Sequence, residues 1–113
     1  MFNDVTSVAL RSAMTGLAAR QRTIADNVAN IQTPGFRAGR VQFEDALRGA
    51  VASGSGAASP SVARSLEPTR EDGNNVNLDT ETIAHIDTGL RYQLALRAAD
   101  HQFSILRTSM RTQ

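Results

Sequence analysis

The sequence predicts a mainly all-α fold: two long terminal amphipathic helices forming a coiled-coil-like hairpin, joined by an irregular, partly extended Gly/Ala/Ser-rich middle segment. Three observations predict it. Apolar residues at 3-4 spacing run through residues 4–31, the same spacing returns from residue 79 to about 111, and residues 49–65 hold no apolar period. The chain divides accordingly into an amino-terminal helix within 1–33, a stretch of turns, short irregular elements and linker over 34–78, and a carboxyl-terminal helix within 79–113.

The first helix is expected from Asn3 or Asp4, whose side-chain oxygens suit the free N–H groups of a first turn. Leu10, Met14, Leu17, Ile24, Val28 and Ile31 follow a seven-residue repeat, with Gln21 the one polar member. Such a repeat keeps one narrow stripe facing a partner helix. Ala13, Gly16, Ala18, Ala25 and Ala29 flank the stripe and allow close approach. Gly16 costs about 1 kcal/mol of helix propensity relative to Ala, which points to close packing or a bend there. Pro34 disfavours helical geometry in the residue before it, so the helix has to stop by Thr33.

Thr33-Pro34-Gly35-Phe36 reads as a type II turn, with proline fixing φ at its second position and glycine accepting positive φ at its third. Val41-Gln42-Phe43 alternates briefly, and Glu44 to Arg48 have room for one helical turn. Residues 49–65 have the composition of a flexible linker, in which substitutions at Gly54 to Ala58 are expected to be nearly silent. Asp72-Gly73-Asn74-Asn75 is a second turn cluster.

The second helix is expected to take Asp79 as its N-cap, with Glu81 favourably placed in the first turn and Leu78 and Ile83 at hydrophobic-staple spacing. Tyr92, Leu96, Ala99, Phe103, Leu106 and Met110 form its predicted seam; Leu90, Leu94, Ala98 and Ile105 lie beside it as a second stripe. A helix with two adjacent stripes can contact more than one neighbour. Two such helices make a marginal hairpin without a third layer, so the isolated chain is expected to be partly disordered and to finish folding on assembly.

Several chemistries lack their residues. Aromatics are 4% of the chain, with no Trp, and there is no Cys for a disulfide, a thiolate nucleophile or a thiolate metal site. All 12 basic residues are Arg and they are scattered, giving a net charge of +1 without a basic stripe; no nucleic-acid partner is expected. His85 and His101 stand over 20 Å apart on a helix at ~1.5 Å per residue, too far for shared metal ligation. Glu71, Asp72 and Asp79 lack the ligand order of a calcium loop, and Gly54-Ser55-Gly56 lacks the Lys of a phosphate loop. No catalytic set and no cofactor is expected. Nothing resembles a secretory leader, and no apolar run reaches the length of a transmembrane helix.

One segment is more specific than all of these: Ile24-Ala25-Asp26-Asn27-Val28-Ala29-Asn30-Ile31-Gln32-Thr33-Pro34-Gly35-Phe36-Arg37. It closely resembles the signature of bacterial flagellar rod, hook and hook-associated axial proteins. Asp72 to Glu81, Leu90-Arg91-Tyr92-Gln93 and Phe103 to Met110 narrow the likeness to the proximal-rod members of that family. Ile31-Gln32, Phe36 and Arg37 depart from the usual pattern; Phe36 lacks the hydroxyl of the usual tyrosine.

The resemblance implies a structural subunit, not an enzyme. It would be exported through the flagellar type III apparatus without signal cleavage and would assemble in the rod that crosses the periplasm. The implied partners are other rod proteins, the MS-ring–rod junction protein FliE and the export gate. The assembly interface would then take in Leu10, Met14, Leu17, Ile24, Asn27, Val28, Asn30, Leu90, Tyr92, Leu94, Leu96, Phe103, Leu106 and Met110, with Thr33, Pro34 and Gly35 as the turn. The alternatives are another rod subunit such as FlgC, or a small secreted helical hairpin of the WXG type, against which the absent Trp-x-Gly turn weighs.

Overall fold

The computed structural model describes residues 4–111. Five elements follow in order: helix α1 (Val5–Ala29), strand β1 (Gly39–Gln42), helix α2 (Glu44–Ala52), strand β2 (Ser61–Arg64) and helix α3 (Leu78–Arg111). The two long helices lie antiparallel, as their cross-contacts show: Gln21 meets His85 and Asn27 meets Glu81. The result is a narrow molecule of 66 × 26 × 14 Å.

Helix α1 starts where the capping chemistry places it. Asp4 is the N-cap, its Oδ1 accepting the Ser7 N–H at 2.8 Å; the other candidate cap, Asn3, lies outside the described residues. The helix ends at Ala29 with Asn30 as C-cap. The expected turn follows: the Phe36 N–H donates to the Thr33 carbonyl at 3.2 Å, and Gly35 adopts φ +77°.

The middle segment corrects the linker reading. Helix α2 runs on to Ala52, beyond the single turn expected at Arg48. Its Ala-rich end has linker composition but good helix propensity. Strand β2, inside the supposed linker, pairs antiparallel with β1, Gly39 opposite Arg64 and Gln42 opposite Ser61. Four residues of β2 carry no readable period, because their partner strand lies some twenty residues earlier. Gly56 is buried at φ +69°, and a Cβ there would lie 2.7 Å from the Val5 carbonyl. The Ser12 hydroxyl donates to the Gly56 carbonyl at 2.9 Å. A side chain at Gly56 is therefore expected to strain the fold, against the expectation of a silent position.

The start of α3 also differs from expectation. Asn77 is the capping side chain, its Oδ1 accepting the N–H groups of Asp79 at 2.9 Å and Thr80 at 3.3 Å. Leu78 and Ile83 are exposed, so they form no staple. The earlier start places Val76 in the interior and turns Glu81 toward α1.

The core is small and sits midway along α1. Leu17, Val41 and Phe43 are buried together, with Ala13, Leu47, Tyr92 and Ala95 packed around them. Phe43 explains Gly16: a Cβ at that position would stand 2.5 Å from the ring. The glycine's helix penalty is thus exchanged for burial of an aromatic side chain. Above the ring lies the Arg20 guanidinium, 4.9 Å from the centroid, which also donates to the Val41 carbonyl at 2.8 Å and pairs with Glu44 at 2.6 Å. The hydrogen bond from Arg20 holds the Glu44 carboxyl at about 2, well below its ordinary value.

Candidate assembly site

At the end of α1 opposite the amino terminus, polar residues converge. Asn27 is fully buried, and its carboxamide treats β1 as a neighbouring strand would. Its Nδ2 donates to the Gly39 carbonyl at 3.0 Å and its Oδ1 accepts the Gly39 N–H at 2.8 Å. That approach leaves little room for a side chain, since a Cβ on Gly39 would lie 2.8 Å from Thr23 Cγ2. The same Nδ2 reaches Glu81 Oε2 at 3.1 Å, while Arg40 Nη1 donates to Glu81 Oε1 at 2.7 Å. Glu81 has no exposed surface, so its charge is carried by these two contacts.

Beside this cluster the two turn motifs meet. Helix α1 leaves carbonyls without helical partners, and Asn74 collects them: its Nδ2 donates to the carbonyls of Asn30 at 2.9 Å, Ile31 at 3.1 Å and Thr33 at 2.8 Å. Its Oδ1 accepts the Val76 N–H at 2.7 Å. Asn75 accepts the Ala38 N–H at 2.7 Å and donates to the carbonyls of Ser65 and Glu67. Arg70 reaches across to the carbonyls of Ile31 and Val76, both at 2.7 Å. The Gly35 N–H donates to the Asp72 carbonyl at 2.8 Å, tying one turn to the other. Asn30 serves its own turn, donating to the Asp26 carbonyl and accepting the Thr33 hydroxyl. Thr33, Pro34 and Gly35 are exposed.

Along the helix pair, the predicted interface residues separate into inward and outward sets. On α1, Leu17 and Ile24 are buried with Asn27, Leu10, Met14 and Asn30 are half-buried, and Val28 is exposed. Gln21, the polar member of the repeat, is matched by His85: its Nε2 donates to the His85 carbonyl at 3.3 Å and its Oε1 lies 2.9 Å from the ring Nδ1. On α3, the inward face runs through Glu81, Thr88, Tyr92, Ala95, Ala99, Gln102 and Leu106. Leu96, Phe103 and Met110, placed on the seam by their spacing, are exposed on its flank. Leu96 and Phe103 lie roughly 60–80° off the centre of the inward face at 100° per residue, whereas Met110 points the same way as Tyr92 and is exposed at the end of α3.

Of the second stripe, Leu90, Leu94 and Ile105 turn outward, and Ala98 is half-buried. Ile83, Leu90 and Leu94 are 69%, 62% and 69% exposed, and Ile86 and Ile105 join them. At 100° per residue these five fall within an arc of roughly 100°, about 150° from the inward face. The free ends of the helices form a groove of about 420 Å³, lined by residues that include Leu10, Met14, Phe103 and Leu106. Among the described residues no group of three or more His, Cys, Asp or Glu could hold a metal ion, and no helix is long and apolar enough to cross a membrane.

The spacing missed Glu81, Asn74, Asn75, Arg40 and Arg70 as structural residues. One signal for Glu81 was present: stepping back in sevens from Gln102 through Ala95 and Thr88 lands on it. The two asparagines were legible only as part of a turn cluster, because their partners are main-chain N–H and carbonyl groups, most of them distant in sequence.

Residues 9–37, which hold the Asn27 and Asn30 end of α1 and the turn, match the family described as flagella basal body rod protein. The chain is 32% identical to the flagellar basal body rod protein FlgB of Escherichia coli (strain K12), over 88% of this chain and 90% of that one. It is 31% identical to FlgB of Borrelia hermsii, over 77% and 82%, and 26% identical to FlgB of Bacillus subtilis (strain 168), over 88% of both chains. Neither another rod subunit nor a WXG-type hairpin is favoured by these matches. The chain belongs to the FlgB family of flagellar basal body rod proteins.

Proposed function

We propose that this structural subunit of the flagellar basal body rod assembles through the outward apolar stripe of α3 and the groove between the helix ends. The observation that carries the reading is the alignment of Ile83, Ile86, Leu90, Leu94 and Ile105 on one exposed face, with their backs to the helix pair. An exposed apolar face of this kind marks an interaction surface; here Ile83 to Leu94 form its main part, with Arg97 and His101 between them and Ile105. Other components of the basal body are its partners. In the finer reading the subunit sits in the proximal rod, beside other rod proteins and FliE and above the export gate, after export through the type III apparatus without signal cleavage. On this reading Leu96, Phe103 and Met110 also meet neighbours, while Leu10, Met14 and Leu106 close the groove when a neighbour packs against it.

A deletion strain tests the role: it should not swim, and its purified basal bodies should lack an intact rod. Normal swimming with intact rods contradicts it. Complementation with Leu96→Asp or Leu106→Asp should fail at assembly, because each buries a carboxylate against an apolar neighbour, while export of the subunit is less affected. Co-purification of FliE with the wild-type subunit, lost in an α3-stripe variant, tests the finer placement.

A further inference from the structure

We infer that the Asn27–Arg40–Glu81 cluster sets the axial register of α3 against α1, acting as a positioning device that the helix seam itself does not supply. Outside the cluster, the seam between α1 and α3 has the polar contact of Gln21 with the exposed His85, and is otherwise poor in features that would resist sliding. Its inward residues repeat at 3-4 spacing on both helices, and several on α3 are small: Thr88, Ala95 and Ala99. A slide of one heptad, about 10 Å at 1.5 Å per residue, returns equivalent positions to the interface. An apolar seam with that periodicity tolerates the shift; a buried polar contact does not.

The cluster has the properties of such a contact. Three elements far apart in sequence meet at one carboxylate, with Oε2 held by Asn27 of α1 and Oε1 by Arg40 of β1. Asn27 is in turn fixed to the Gly39 backbone by two bonds, so α1, β1 and α3 share one hydrogen-bonded point. Sliding α3 by seven residues would bring Thr88 to this point and leave the half-buried Arg40 without its anion. The cluster is also not optimised for stability: Arg40 Nη2 is buried with no hydrogen-bond partner among the described residues. Buried polar groups held at a cost to stability are best attested as register-setting devices. In the rod reading, register fixes where the outward stripe of α3 stands relative to α1, and hence the axial offset offered to the next subunit; only this consequence rests on that reading.

The chain has no cysteine, so spin labels can be placed through Arg22→Cys and Arg97→Cys, both at exposed positions on facing helices. Double electron–electron resonance on the full-length isolated subunit should give one dominant distance. Adding Arg40→Met with Glu81→Leu should keep the helical circular-dichroism signal and split the distribution, with a second peak displaced by several ångströms, up to the about 10 Å of one heptad. Leu106→Ala, which weakens the seam and leaves the cluster intact, should lower the melting temperature and keep a single peak. An unsplit, unshifted peak in the folded double variant overturns the inference. So does unfolding of that variant, which would make the cluster a source of stability, and so does a split peak in Leu106→Ala. None of these readings uses motility or rods, so failure of the rod assignment would leave the test standing.

Discussion

The two ends of the helix pair are built by opposite rules. At the Asn27–Glu81 end, α1 and α3 are joined by the β1–β2 hairpin and by side chains that bond to main chain across long sequence distances. At the other end, α1 before Ala13 faces α3 beyond Ala99 across an apolar groove, with large apolar side chains left exposed beside it. The first end is packed within one chain; the second, on the proposed function, is packed by neighbours. The difference teaches where a filament subunit can be rigid before assembly and where it keeps surface for others. It also refines the expectation of a partly disordered monomer: the middle segment supplies a third layer along α1, Gly56 reaching Val5 and Ser12, while the end of α3 keeps its large apolar side chains exposed.

Substitutions at the packed end should cost the subunit most. Arg40→Ala leaves the Glu81 carboxylate buried without its cation, and should lower unfolding free energy by about 3–5 kcal/mol in urea titration. A loss under 1 kcal/mol would mean that water reaches the carboxylate. Two glycines give the next contrast. Gly16→Ala should destabilise by about 1–3 kcal/mol, because its methyl meets the Phe43 ring. Gly49→Ala, in α2 with nothing within 4 Å of the new methyl, should stabilise by about 0.5–1 kcal/mol. Equal effects at the two positions would erase the contrast.

At the open end and on the outer face the subunit itself should hardly notice changes. Leu90→Asp with Leu94→Asp should shift the melting temperature of the isolated subunit little, since both side chains already face water. The same variant should not support swimming. If it swims normally, the stripe does not meet a neighbour.

The smallest effect concerns pH. The Glu44 carboxyl is lowered to about 2 by the hydrogen bond from Arg20, against 4.5 for the free side chain. A depressed carboxyl contributes stability that is complete above its unfolded value and is lost as pH falls toward the folded one. The contribution should therefore disappear between about pH 4.5 and 2. Glu44 is 42% exposed, which keeps the pair at the level of a surface ion pair, below ~1 kcal/mol. Arg20→Met should flatten the pH dependence of the melting temperature in that window; an unchanged slope would assign it to other carboxylates.

The sequence disclosed the parts of this molecule whose partners are local. Residue period located both long helices, and Thr33-Pro34-Gly35 located the turn, because capping, proline geometry and glycine φ act over three or four residues. The middle segment was illegible for the converse reason. Strand β2 exists because β1 pairs with it, and Gly56 is constrained by Ser12 and Val5, some fifty residues away. Asp79 and Asn77 are both good caps; the choice of Asn77 follows from burying Val76 and Glu81, a tertiary demand. The α3 seam was rotated for a similar reason, since spacing favoured the large apolar Leu96, Phe103 and Met110 over Ala95 and Gln102. In a subunit destined for a filament, the largest apolar side chains need not face its own core.

Native-state hydrogen exchange on the isolated subunit and on assembled rods tests the division most directly. The isolated subunit should protect the amides of residues 16–29 and 81–95 strongly and those of residues 99–111 weakly, and assembly should remove the difference. Uniform protection along α3 in the isolated subunit, or a difference that persists in the rod, would contradict it.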